Sequence, residues 1–217
     1  MVTQTVNLAK CTGLGALGFG IGGAITFLLG GAMVLGFFLQ GVLGGGLLGL
    51  ATRSHHEALS LAALAAGASF AGQVVGFFIV MTIWEPSFSS LFVGIVAGAV
   101  LGAALGFRSA GLVGAVFTAV VGALGFGVGM VLGLGRWGSE PSVWASWVSG
   151  GFGSSWKLAV FQGGLQGTIA GGLLGLSWGY CERRALRGAH EREPASPTEP
   201  SEVLNHQREG GEISRMI

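Results

Sequence analysis

From Thr12 to Ala51 the chain runs for 40 residues without one charged side chain. As a single helix that stretch would measure roughly 60 Å, about twice the hydrocarbon thickness of a bilayer. It therefore predicts two apolar helices joined by a tight turn near Gly30-Gly31, neither with the polar face that a helix resting on water needs.

The second of these helices carries a block that returns later. Leu39 to Leu50 reads LQGVLGGGLLGL and Leu165 to Leu176 reads LQGTIAGGLLGL, identical at nine of twelve positions. Both hold the spacing G-x-x-x-G-x-x-x-G, as Gly41, Gly45 and Gly49 and as Gly167, Gly171 and Gly175. A more diverged copy runs through Gly94, Gly98 and Gly102. Residues four apart share a helix face, so each block predicts a flat glycine strip on an apolar rod. In water each glycine costs roughly 1 kcal/mol of helix stability against alanine. In lipid the same strip lets two backbones approach closely, which is how membrane helices hold together. With 43 glycines in 217 residues the spacing alone arises by chance, so the nine identities carry the argument for an internal repeat.

A second pair of segments sets the period. LGFGIG at Leu17 to Gly22 recurs as LGFGVG at Leu124 to Gly129, and a polar loop, Arg136 to Lys157, separates the later copy from its glycine block. The two segments thus belong to different helices. Aligning Phe70 with Phe19 and Phe126 brings the middle block into the same scheme and sets Val93 where the others have Gln40 and Gln166. The expected fold is an all-α membrane protein of about six transmembrane helices, built as three tandem glycine-zipper hairpins, parallel internal repeats at 11–53, 58–108 and 111–184. Three parallel hairpins allow a pseudo-threefold arrangement. Residues 1–10 read as a cytoplasmic lead, 136–157 as a Trp-rich interfacial loop and 185–217 as a disordered cytoplasmic tail.

Charge placement supports this class. Charged residues are 10% of the chain against about 25% in a soluble domain. The first 181 residues hold only Lys10, Arg53, Glu57, Glu85, Arg108, Arg136, Glu140 and Lys157. With both termini cytoplasmic, Lys10, Arg53, Arg108, Arg183, Arg184 and Arg187 fall inside, as the positive-inside rule asks. The apolar run that starts after Cys11 is too long for the core of a removable signal peptide. The expected location is the cell membrane.

Few residues offer chemistry. There is no aspartate, and the glutamates stand singly outside the apolar runs, which leaves no paired carboxylate, nucleophile–base set or metal box. No catalytic residue, cofactor or metal is expected. A net charge of +1 offers nothing to nucleic acid. Ser54-His55-His56-Glu57 has the form of a capping box, which accounts for the paired histidines better than a metal site does. Cys11 and Cys181 fall at the cytoplasmic interface, where they read as small packing residues or acylation sites.

Gln40, Gln73 and Gln166 remain, amides in apolar surroundings. Their ordinary role is hydrogen bonding between helices, and their alternative role is lining a polar path. The sequence thus leads to a non-enzymatic integral membrane protein, serving structure, assembly or association with a membrane partner or a second copy of itself in the lipid bilayer. The alternative is a channel or carrier for a small solute or ion.

Overall fold

A computed structural model of the chain describes residues 6–29, 33–52, 55–83, 89–134 and 155–192. Among these residues the structure is all helical, with no strand: α1 (Leu8–Leu29), α2 (Met33–Gly49), α3 (His55–Ile83), α4 (Ser89–Leu134) and α5 (Ser155–Arg192), and a 3-10 turn at Leu50–Thr52 after α2. Three of them contain stretches long and apolar enough to cross a membrane, Leu8–Leu29, His55–Val80 and Leu91–Leu132, and Leu35–Gly49 is a shorter apolar helix. By its contacts the chain divides into a unit Met1–Ala185, which holds the packed helices, and a unit Leu186–Ile217, described only as far as the end of α5.

The outward faces are apolar. Leu59 is 74% exposed and Leu112 and Val113 are 73% exposed, with Phe77, Phe78 and Phe107 also turned outward. A soluble monomer rarely leaves so much contiguous apolar surface in water. Hydrocarbon removes that penalty.

Local sequence sets the helix ends, and two differ from the boundaries read from charge. Asn7 Oδ1 accepts the Lys10 amide at 3.2 Å, so α1 begins at Leu8 and takes in part of the lead expected over 1–10. At the other end α5 continues to Arg192, so residues 185–192 are helical where a tail was expected. Ala185, Leu186 and the arginines around them favour helix, and Pro194 disfavours helical backbone at the residue before it. The Trp-rich loop of 136–157 and the rest of the tail lie outside the described residues, apart from the helical backbone of 155–157.

α4 is two helical arms. Ala110 (φ −142°, ψ 24°) and Gly111 (φ 62°, ψ −147°) break it at the boundary expected between two spans. Glycine alone adopts such a backbone without strain. The arms fold back on each other: Gly98 lies against Gly122, Gly102 against Thr118 and Gly106 against Gly114. Residue numbers fall on one arm as they rise on the other, so the arms are antiparallel.

The same reading of contacts orders the remaining segments. α1 and α2 meet at Gly18–Gly44, Gly22–Gln40 and Thr26–Gly36. α2 and α3 meet at Gly41–Ala65, Gly45–Leu61 and Gly49–Ala58, and α3 meets the first arm of α4 at Gly72–Ala97 and Gly76–Val93. The second arm meets α5 at Gly125–Ala170 and Gly129–Gln166. α5 then returns to α1 at Gly163–Gly23, Gly167–Phe19, Gly171–Gly15 and Gly175–Cys11. Every segment packs antiparallel on its neighbours, and the cycle of contacts closes. Its apolar centre includes Phe19, Leu48, Leu61, Leu101, Leu105, Phe126, Leu174 and Trp178.

Candidate functional site

The glycines expected to form packing strips are all buried, and each meets another helix. A Cβ at Gly41 would stand 2.6 Å from the Cα of Ala66, and one at Gly45 would strike the Leu61 carbonyl. At Gly49 it would strike the Ala58 backbone. Gly167, Gly171 and Gly175 face the backbone carbonyls of Phe19, Gly15 and Cys11 in turn. No side chain fits at such distances.

The middle strip sits differently from its sequence alignment. Gly98 and Gly102 face the backbone carbonyls of Gly122 and Thr118, but a Cβ at Gly94 would meet the flexible Met130 side chain, at 3.0 Å. The backbone contact continues instead at Gly106, which faces Gly114. The tight strip is thus Gly98, Gly102 and Gly106, one helical turn later than expected. The aligning phenylalanine misled: Phe19 and Phe126 are buried, whereas Phe70 is 42% exposed, and Ser69 takes the inward place. Accordingly Ala97, not Val93, crosses α3 at Gly72 as Gln40 crosses α1 at Gly22 and Gln166 crosses α4 at Gly129.

Gln40, Gln73 and Gln166 are 4%, 9% and 4% exposed. No hydrogen bond joins their carboxamides to another described residue, so the interhelical bonding expected of them is not what buries them. The buried hydroxyls behave otherwise. Thr26 Oγ1 donates to the Gly22 carbonyl at 2.8 Å and Ser177 Oγ to that of Leu174 at 3.0 Å, each within its own helix.

One end of the helical unit gathers Lys10, Glu57, Arg108 and Glu182. Lys10 Nζ donates to the Leu50 carbonyl at 3.2 Å, which brings the start of α1 to the end of α2. Glu182 lies in the field of both Glu57 and Arg108. Burial pushes its carboxyl above the usual carboxylate range, Glu57 adds to that rise and Arg108 opposes it. His55 and His56 are exposed at the start of α3, and the described residues contain no group of three His, Cys or Glu placed to hold a metal ion.

Cys11 and Cys181 are buried free thiols, so in this arrangement neither is open to an acylating enzyme. Cys181 Sγ lies 3.8 Å from Thr118 Oγ1. The indole Nε1 of Trp178 is buried without a hydrogen-bond partner among the described residues. Sequence reasoning passed over Trp178, Thr118 and Ser69. The signal for all three was their four-residue spacing from other inward positions on their helices.

These features define a chain whose described residues are all helical, with three membrane-length apolar helices and a tightly packed, glycine-rich interior. No known protein family, curated protein sequence or solved structure matches it.

Proposed function

We propose that the chain is a non-enzymatic integral membrane protein of six spans, arranged as three glycine-strip hairpins, with both termini cytoplasmic in the cell membrane. The two arms of α4 count as the fourth and fifth spans. The observation that carries this reading is where the strips point. Gly41–Gly45–Gly49, Gly98–Gly102–Gly106 and Gly167–Gly171–Gly175 each sit on the second helix of one hairpin and pack on the first helix of the next, with the third returning to α1. Dispersion between close backbones is the cohesion available to helices in lipid, and this arrangement uses all three strips within one chain.

The role that follows is structural. The bundle is a self-contained scaffold, and assembly with a membrane partner or a second copy would use its outward leucine, valine and phenylalanine faces. Gathering Lys10, Leu50, Glu57, Arg108 and Glu182 at one end supports placing the basic termini and turns on one side.

Single-cysteine labelling of sealed vesicles tests the topology. An impermeant reagent added outside should reach cysteines at Ser87 and Ser142 but not at Ser54 or Ser201. Outside labelling at Ser54 would remove the six-span arrangement and the parallel hairpins with it.

A second reading, a path for a small solute, is favoured by one observation: three glutamines buried as residues make no carboxamide hydrogen bond to the described residues. An amide in hydrocarbon without a partner is costly, and water or a solute would relieve it.

A further inference from the structure

The three glutamines continue the faces that build the apolar core. Gln40, Gly44 and Leu48 follow at four-residue steps on α2, as do Gln166, Ala170 and Leu174 on α5, and all six are buried. On α3 the sequence Leu61, Ala65, Ser69, Gln73 repeats the step, again buried throughout. Residues so spaced share one face of a helix. Leu48, Leu61, Ala65, Ala170 and Leu174 belong to one contiguous core, so the glutamines on the same stripes turn inward too.

Their displacement is one-directional. Gln40 and Gln166 stand eight residues, about 12 Å, from Leu48 and Leu174, and Gln73 about 18 Å from Leu61. Each is displaced away from the end that holds Leu50, Glu57 and Glu182. The interior therefore holds its carboxamides away from that end. Toward that end it holds Leu48, Leu105 and Leu174, all fully buried, with Trp178 in the same cluster and the buried hydroxyls of Thr118 and Ser177 among them. Beyond it the buried side chains include Ser69, Gln40, Gln73, Gln166 and Thr26, beside the apolar Val80 and Met130.

A carboxamide offers two donors and two acceptor sites. The three glutamine residues are nine-tenths or more buried and unbonded to the described residues, which leaves their carboxamides for partners of small size. Among the described residues none of the inward-facing groups in this half is an acid or a base, so a charged ligand finds no counter-ion there.

We propose that Gln40, Gln73 and Gln166 line a hydrated chamber for a small neutral molecule that both donates and accepts hydrogen bonds, water being the smallest. Leu48, Leu105, Leu174 and Trp178 close the chamber at one end. This deepens the solute reading and makes the space a blind pocket, not an open pore.

Thiol reactivity tests it, because methanethiosulfonates attack thiolates and a thiolate forms only where there is water. In a background with Cys11→Ala and Cys181→Ala, single cysteines replace Gln40, Gln73, Gln166, Leu105 or Leu174 in the full chain in vesicles. With hydroxyethyl methanethiosulfonate the glutamine positions should react at least ten-fold faster than the leucine positions. Equal slowness at both sets would mean dry amides, and equal speed would mean no seal; either overturns the proposal. The ratio does not depend on which side of the membrane is which, so a failed topology test and a failed chamber are distinguishable. For variants that do not fold, deuterium exchange of the unsubstituted protein gives the same decision. The glutamine side-chain amides should exchange well before the Trp178 indole N–H, and exchange as slow as that of the indole would sink the chamber.

Discussion

The ring of Phe19 fills the notch that Gly44 leaves on the neighbouring helix: a Cβ at position 44 would stand 2.5 Å from three of its ring carbons. Phe19 is fully buried, so the ring has nowhere to retreat. Gly44→Ala should cost about 1–3 kcal/mol by overpacking. That exceeds the roughly 0.5–1 kcal/mol an alanine returns in helix propensity. Gly67, exposed with nothing within 4 Å, supplies the control, and Gly67→Ala should match or exceed wild type. Denaturation in detergent measures both. Equal stability of the two variants would show that the notch is not closed.

Gly171→Leu and Gly45→Leu ask the same question of the strips. Their Cβ positions meet backbone, the Gly15 and Leu61 carbonyls, which cannot rotate aside as a ring can. Each should fall at or beyond the upper end of the 1–3 kcal/mol overpacking range, roughly 3 kcal/mol or more. A Gly67→Leu variant should lose far less. Identical melting of all three would mean that these faces are not helix contacts.

Gly111 separates conformation from space. Its φ of 62° with ψ of −147° is a glycine backbone, yet nothing lies within 4 Å of the Cβ position. Gly111→Ala should therefore cost about 1–3 kcal/mol through backbone strain alone. A variant as stable as wild type would mean that the turn between the arms accepts another conformation.

Glu182 lies past Cys181, where the uncharged run of α5 gives way to Glu182-Arg183-Arg184, and its carboxyl is raised from the ordinary value of 4.5, first by burial and then by Glu57. The folded chain holds that proton more tightly than the unfolded chain does. This contribution to stability is greatest below pH 4.5 and is lost as pH rises from 4.5 through the raised folded value. Glu182→Gln should remove that loss, leaving a flatter pH profile and a more stable protein at neutral pH. An unchanged slope in pH-dependent unfolding would mean that Glu182 titrates as an ordinary surface acid.

Gln166→Leu distinguishes bonded from unbonded amides. A carboxamide hydrogen-bonded between membrane helices would cost about 0.6–2 kcal/mol on removal. Gln166 has no such bond to the described residues, so the leucine variant should be at least as stable as wild type. With the leucine layer closed, vesicles holding either protein should pass neutral solutes and monovalent ions no faster than empty vesicles. A wild-type flux abolished by Gln166→Leu would instead establish an open path.

Much of the architecture is written in the order of the residues. Forty residues without charge dictate apolar helices, because a backbone in hydrocarbon must bond within itself. Arg108 to Ala110 marked the break in α4, since a charge among small residues is where an apolar rod can turn. Gln40, Gln73 and Gln166 stood out as amides among leucines, and all three are interior.

What the chain order alone could not decide was register. The step from Phe70 to Ser69 and from Gly94 to Gly98 turns on which side of a helix faces a neighbour, and a helix apolar all round carries no polar face to mark its outside. Only the packed structure, where Gly98 meets Gly122 and Phe70 does not fit, settles it. Burial of the cysteines and of the three glutamines arises likewise from which helices touch. That choice is made by backbone contacts between segments far apart in the chain, α5 on α1 above all, and no local pattern encodes it.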